Sequence, residues 1–377
     1  MVATAGLVGL RPAPSHVARV TTPPYDVIKE GSALKERLAS DEASLFHVIL
    51  GDAPGETLAG LEERGVLLRD DEPAFYVYEQ RFGGERRTGV LVAAEVTDYA
   101  EGQIVRHEKT FDAKVQGRIA LARDTGHTIG PVFLLTEGAL GAALEAAEGA
   151  AAPLYDFVSD FGGGTDLHGV ENRVWRVPEA SAAGRRIRDA LAPHPLYIAD
   201  GHHRYHAALR NGQSHTLAYV TEEARILAYD RVVNGVVPFA EARRELDLEP
   251  AARFETPPKH HFRLYTKDGC FTLKAKEVPD DVVGRLDCAI LERELYPHLG
   301  LTHAQIVDPR HFDYYPESAL DEMRAAVDAG EYELAIALHP VSLEELMAVA
   351  DAGLEDPDVV MPEKSTFFSP KILTGLF

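Results

Sequence analysis

The sequence predicts a mixed α/β protein, on three observations. Short apolar runs bounded by turn residues recur along the chain, stretches of Ala, Leu and Arg at helical spacing alternate with them, and Gly, Pro and Asp punctuate the boundaries. The chain has 377 residues, 45% of them hydrophobic and 26% charged. That composition is ordinary for a globular protein of about two domains, with a core large enough to stand without disulfides or a structural metal.

The elements follow in order. Pro23-Pro24 before Tyr25-Asp26 imposes an extended entry and a turn. Ser32 to Leu38 is helix-forming, and residues 75–80 (FYVYEQ) and 87–95 (RTGVLVAAE) read as a hairpin around Gly83-Gly84. Residues 115–126 read as a helix and 131–136 (PVFLLT) as a buried strand; the alanine-rich 137–152 is a helix. Residues 154–160 and 172–177 form a strand pair, with Gly162-Gly163-Gly164 as its tip, since that triplet fits no phosphate-loop pattern. A helix over 181–195 precedes LYIADGHHRYHAALRN (196–211), which reads strand, tight turn, helix; 215–221 is a strand. The charged, proline-containing stretch Glu245–Pro258 marks a boundary between an N-terminal α/β region, 1–250, and a C-terminal one, 251–377. There, 261–277 alternates as a hairpin around Asp268-Gly269 and 282–300 reads as a helix. Strand, helix, strand and helix then follow over 311–353. Phe367, Phe368, Ile372, Leu373, Leu376 and Phe377 give the tail enough apolar surface to return to the core.

Charge narrows the function. Lys and Arg number 38 against 60 Asp and Glu, a net charge of −22, which repels nucleic acid and anionic membranes. No basic patch offsets it, so neither is expected as a partner. Cys270 and Cys288 are the two cysteines, too few for a disulfide scaffold and without metal spacing, and neither is expected to act as a nucleophile. Arg11, Pro12 and Pro14 interrupt the first apolar residues, and no stretch approaches the ~20 apolar residues of a membrane span. A soluble, cytoplasmic protein is expected. The single Trp175 reads as core.

The strongest local signal is Asp200-Gly201-His202-His203-Arg204-Tyr205. A strand that ends in a glycine turn and opens a helix offers free backbone N–H groups to an anion, and an arginine in the first turn adds donors suited to phosphate oxygens. The two histidines and Asp200 add proton-transfer capacity. The same stretch also reads as a polar helix cap, or as part of a metal site through His202 and His206, which share a helix face. A second group is Arg106-His107-Glu108-Lys109-Thr110, followed by Lys114 and Arg118; there Glu108 has the chemistry of a general base, unless the group is only a charged turn. At the C-terminus, Lys364, Ser365, Thr366 and Lys371 would reach a pocket edge and bind phosphate if the tail docks. Tyr25, Asp26 and Arg231 stand evenly between pocket and scaffold.

Taken in order, LRP, PPYDVI, RHEKT, ADGHHRY and MPEKSTFFSPKILTGL resemble the bacterial and archaeal family named domain of unknown function 1015, from about Leu10 to Phe377. Gln116-Gly117 depart from it, standing before Arg118 in place of an acidic residue. DGHHRYHAA is also similar to the phosphate-binding box shared by ParB-type nucleotide-binding domains, sulfiredoxins and free-serine kinases. That resemblance implies a ParB/sulfiredoxin-like core, donor phosphates at Gly201, Arg204 and Tyr205, and a catalytic glutamate for which Glu108 is the match. Sulfiredoxin chemistry needs a cysteine where His202-His203 stands.

The reading that joins these features is a small-molecule phosphotransferase. Glu108 or Asp200 would take the acceptor proton, with His202 and His203 beside them, and Lys364 or Lys371 would neutralise the phosphoryl group. By resemblance the acceptor is serine, or the reaction runs back from phosphoserine. The donor would be ATP, ADP or pyrophosphate with Mg²⁺, for which Asp200 and Asp26 are possible ligands. A metal-assisted hydrolase built on His202, His203 and His206, and a non-catalytic nucleotide-binding module, are the alternatives.

Overall fold

The computed structural model describes residues 2–110, 112–162, 165–306, 308 and 310–377. It is mixed α/β, in two compact units: residues 1–224 with 370–377, and residues 225–369. The division falls between Ala224 and Arg225, ahead of the Glu245–Pro258 stretch.

The first unit is organised by a nine-stranded sheet. Its strands are β1 (Thr4–Ala5), β2 (Ala74–Phe82), β3 (Glu85–Glu95), β4 (Ile104–Val105), β5 (Val132–Thr136), β6 (Tyr155–Val158), β7 (Glu171–Pro178), β8 (Leu196–Asp200) and β9 (His215–Thr221). Among the helices that accompany them are α1 (Asp112–Thr125), α2 (Leu140–Glu148), α3 (Ala182–Leu191) and α4 (His202–Arg210). The order across the sheet is β4-β8-β5-β9-β3-β2-β7-β6, with β1 added to β3. β8 runs parallel to β4 and β9 parallel to β5; the other pairs are antiparallel. The predicted hairpin of β2 and β3 is present, turning on Gly83 and Gly84, both at positive φ. The alanine-rich helix is confined to α2, within the expected 137–152. Gly163 and Gly164 of the expected hairpin tip lie outside the described residues.

Strand alternation explains the burial. Phe75, Val77, Val90 and Val92 face α2 and α3, joining Leu140, Leu144, Ile187 and Leu191 in one apolar cluster. Tyr76, Tyr78, Gln80 and Arg87 face the other way and are also buried. They grip the end of the chain: Gln80 Nε2 donates to the Lys371 carbonyl at 3.1 Å and Arg87 Nη2 to the Pro370 carbonyl at 2.6 Å. The Tyr76 and Phe377 rings meet at 3.9 Å. Polar strand positions that would otherwise lack partners thus hold residues 370–377 within the first unit.

The second unit has a six-stranded antiparallel sheet. Its strands are β10 (Tyr229–Val233), β11 (Leu248–Ala251), β12 (His261–Thr266), β13 (Gly269–Lys274), β14 (Phe312–Pro316) and β15 (Leu334–Leu338), in the order β11-β13-β12-β15-β10-β14. The helix expected over 282–300 is shorter, Asp287–Glu294, because the chain turns repeatedly from Leu295 to Gly300.

One buried group in this sheet makes a prediction. Asp230 is fully buried; Oδ1 accepts from the Leu338 N–H at 3.0 Å and Oδ2 has no partner. Burial outweighs the pull of that N–H and of Arg231 and pushes its carboxyl up to about 8. The unfolded carboxyl ionises near 4, so stability falls as pH rises from about 4 to about 8 and is level above that. Asp230→Asn keeps the acceptor and removes the penalty. Its Tm should exceed that of the parent by several degrees at about pH 8 and by much less near pH 4. Calorimetry at both pH values checks this; equal Tm values at the higher pH would refute it.

Candidate functional site

The site is built on the β8–α4 turn. In β8, Ile198 pairs with Leu134 and Asp200 with Phe133, so Ala199 is an extra residue and the strand bulges. A bulge re-aims the side chain that follows it. Gly201 then turns the chain at φ 96° and ψ 27°, a left-handed conformation that suits glycine. A Cβ on Gly201 would lie 2.7 Å from Arg204 Nε. The missing side chain is therefore what lets the guanidinium fold back over the turn. α4 starts at His202 with its first N–H groups unpaired within the helix.

Asp200, Arg204 and Lys371 come together here. Lys371 Nζ is 3.0 Å and Arg204 Nη2 3.8 Å from Asp200 Oδ2. Burial alone would push the Asp200 carboxyl up, but Lys371 and Arg204 outweigh it and hold it well below the usual carboxylate range. Asp166 accepts from the Lys371 backbone N–H at 2.9 Å and fixes the lysine in place. Arg118 on α1 lies over the Tyr25 ring, 3.9 Å from its centroid. Burial lowers its pKa, the Tyr25 hydroxyl opposes that, and the charge of Arg204 lowers it further. The two guanidinium groups are thus close enough to repel. Burial, then Asp26, raises the Tyr25 hydroxyl against the pull of Arg204 and Arg118. Asp200 pairs with Arg204 and Lys371, Asp166 accepts from the Lys371 backbone and the charge of Asp26 acts on Arg118, so the three cations Arg118, Arg204 and Lys371 gather at this turn among three carboxylates.

Arg118 and Arg204 also wall a cavity of about 30 Å³. It shares His127, Thr128 and Ile129 with a larger, mainly apolar cavity of about 240 Å³ lined by Leu10, Leu58, Leu217 and Phe377 among others.

A second group adjoins the turn. The His107 and His202 rings meet edge to face, 4.5 Å between centroids, and Glu108 stands with them. Burial lowers His107 to about 4, and burial followed by the His107 charge holds His202 well below its ordinary value, so both rings are neutral. The expected pairing of His202 with His206 does not form. His206 turns away and stacks on Tyr99, 5.9 Å between centroids and 8° between planes. His203 is half-buried on the first turn.

Other expected residues go elsewhere. The Tyr205 hydroxyl donates to the Thr97 carbonyl at 2.8 Å and accepts from the Thr97 N–H at 2.9 Å, so it fastens α4 and has no donor left for a phosphate. Lys364, Ser365 and Thr366 belong to the second unit while Lys371 belongs to the first. Lys364, at φ 56°, lies over the Tyr229 ring with its Nζ 3.4 Å from the hydroxyl, and Ser365 Oγ donates to the Pro362 carbonyl. Arg231 is buried in the second sheet; its Nη1 donates to the Tyr229 carbonyl and its guanidinium faces Tyr314 at 5.7 Å. Thr110 is half-buried beside the Glu108 segment. Of the carboxylates considered for Mg²⁺, Asp200 is committed to two cations, a poor setting for a divalent ion, whereas Asp26 is exposed. Sequence reasoning missed Gln80, Arg87 and Asp166, which place Lys371. The one signal for them was a charged residue, Arg87, on an inward strand position.

Comparison with known proteins adds a family and a distant fold likeness. Residues 6–289 match the family model described as protein of unknown function (DUF1015). No curated protein matches the chain. Among solved structures, a free serine kinase in complex with AMP aligns at 14% identity over 76% of this chain and 92% of that one, with a TM-score of 0.38. A conserved hypothetical protein from Pyrococcus furiosus aligns at 14% identity over 75% and 92%, with a TM-score of 0.37. Scores of that size leave the folds too far apart for any residue or ligand to be carried across.

Proposed function

The chain belongs to the DUF1015 family, and we propose that it is a phosphotransferase acting on a small hydroxyl-bearing molecule. The observation that carries this reading is the placing of two guanidinium groups, Arg118 and Arg204, against one cavity at the β8–α4 turn, where they repel each other at the start of a helix. An anion between them relieves that repulsion and takes the free N–H groups of the helix. Phosphoryl transfer asks a protein mainly for such positioning and charge stabilisation.

Gly201 and Arg204 hold the donor phosphates and Lys371 balances charge beside them. The apolar cavity that shares His127, Thr128 and Ile129 with the arginine side takes the donor's base, which favours a nucleotide over pyrophosphate. Asp200 is too weak a base, with its carboxyl held low by two cations. Glu108 therefore accepts the acceptor's hydroxyl proton as the acceptor oxygen bonds to phosphorus and the donor's bridging oxygen leaves. When bound, Mg²⁺ would neutralise the donor oxygens, with Asp26 as the available carboxylate. The likeness of DGHHRY to the free-serine kinase box makes serine the acceptor, or phosphoserine in reverse.

The test is Glu108→Gln. Nucleotide binding by calorimetry should be unchanged and turnover should fall by about 10²-fold or more. Unchanged turnover would remove Glu108 as the base. A hydrolase centred on His202, His203 and His206 is not favoured, since His206 faces Tyr99 instead.

A further inference from the structure

We infer that His107, Glu108 and His202 bind one divalent transition-metal ion of the Zn²⁺ class. One ligand atom from each, two imidazole nitrogens and one carboxylate oxygen, lie within 4.8 Å of one another. His107 is 1% exposed, and neither of its ring nitrogens makes a hydrogen bond of good geometry, the Ile198 backbone giving only a loose approach. A buried imidazole without partners is costly and needs an explanation. Between the two histidines the polar approach is weak: the His107 backbone N–H reaches His202 Nε2 at 3.5 Å, the limit of a hydrogen bond.

A bound ion explains all three residues. Imidazole and carboxylate donors suit Zn²⁺, Fe²⁺ or Co²⁺ better than the hard Mg²⁺. Ligands at about 2.0–2.1 Å from zinc stand roughly 3–3.5 Å apart, so the three side chains need to close by about an ångström. Three protein ligands leave a coordination position open, the pattern of a reactive rather than a closed structural site. The ion would also tie Glu108, in a segment without regular structure, to the first turn of α4. A carboxylate that ligates through one oxygen keeps the other, so Glu108 can hold the ion and still face an acceptor hydroxyl.

Metal binding is read without nucleotide or turnover, so this inference and the phosphotransferase reading can fail separately. The full chain, stripped with chelator, is titrated with Zn²⁺ by calorimetry and with Co²⁺ by visible absorption, with Mg²⁺ as the control. The expected result is one Zn²⁺ or Co²⁺ per chain, a Co²⁺ spectrum of low coordination number, and no equivalent Mg²⁺ signal. His107→Ala should lose the ion, and His206→Ala should keep it. Absence of stoichiometric Zn²⁺ or Co²⁺ binding in the parent, or undiminished binding in a folded His107→Ala, overturns the site. Should His107→Ala not fold, proton NMR of the Co²⁺-loaded parent decides: two paramagnetically shifted imidazole N–H signals support it, and none overturns it.

Discussion

Arg204→Ala weakens binding of the phosphoryl donor by about 10²-fold or more while leaving the fold intact. The side chain is folded over Gly201, where no Cβ obstructs it, and is about one-tenth exposed. It gives a fork of donors at the end of a helix whose first N–H groups are also free. Its removal takes away a charge-assisted contact but no apolar packing of the core. Arg204→Lys should restore only part of the binding, because an ammonium cannot reproduce the fork. Calorimetric titration of ATP and ADP into both variants checks this. Parent-like affinity in Arg204→Ala would detach the turn from phosphate binding.

Lys371→Met destabilises the protein, by about 2 kcal/mol. The ammonium is about nine-tenths buried and 3.0 Å from the Asp200 carboxylate, which is left with Arg204 alone at 3.8 Å. The value is below that of a fully buried pair because Asp200 is about one-quarter exposed. Asp200→Asn in the same chain should recover most of the loss, since the uncompensated carboxylate then disappears. The Asp200 carboxyl is held low in the folded state, so its contribution is present above the unfolded carboxylate range and is lost as pH falls below it. Urea unfolding of the parent, both single variants and the double variant measures the coupling. Additive effects would show that the pair does not act as one.

Local pattern was enough for most elements. Alternation and the Gly83-Gly84 turn give the β2–β3 hairpin, and LYIADGHHRY gives strand, turn and helix where they occur. Periodicity does not contain long-range pairing. Nothing in the PVFLLT run says that β5 lies antiparallel to β8 and parallel to β9. Nor did composition place the division between the units: the charged, proline-containing stretch Glu245–Pro258 lies inside the second unit, where Leu248–Ala251 pairs as β11. In the site, the residue types were legible where one turn carries them: Asp200, Gly201 and Arg204. Helical spacing suggested His202 with His206, but a tertiary contact sets His202 against His107 and sends His206 to Tyr99. The KST and PK parts of the tail, with three residues between them, go to different units. Sequence proximity could not separate them, since the grip on Lys371 comes from Gln80, Arg87 and Asp166 far along the chain.

The most direct measurement is phosphorus NMR of the purified chain with Mg²⁺ and serine, incubated separately with ATP, ADP and pyrophosphate, and with phosphoserine and the matching product in reverse. The expected result is a phosphoserine signal that grows with a nucleotide donor and vanishes in Arg204→Ala. Folded, nucleotide-binding protein that forms no phosphoserine in either direction would contradict the serine phosphotransferase.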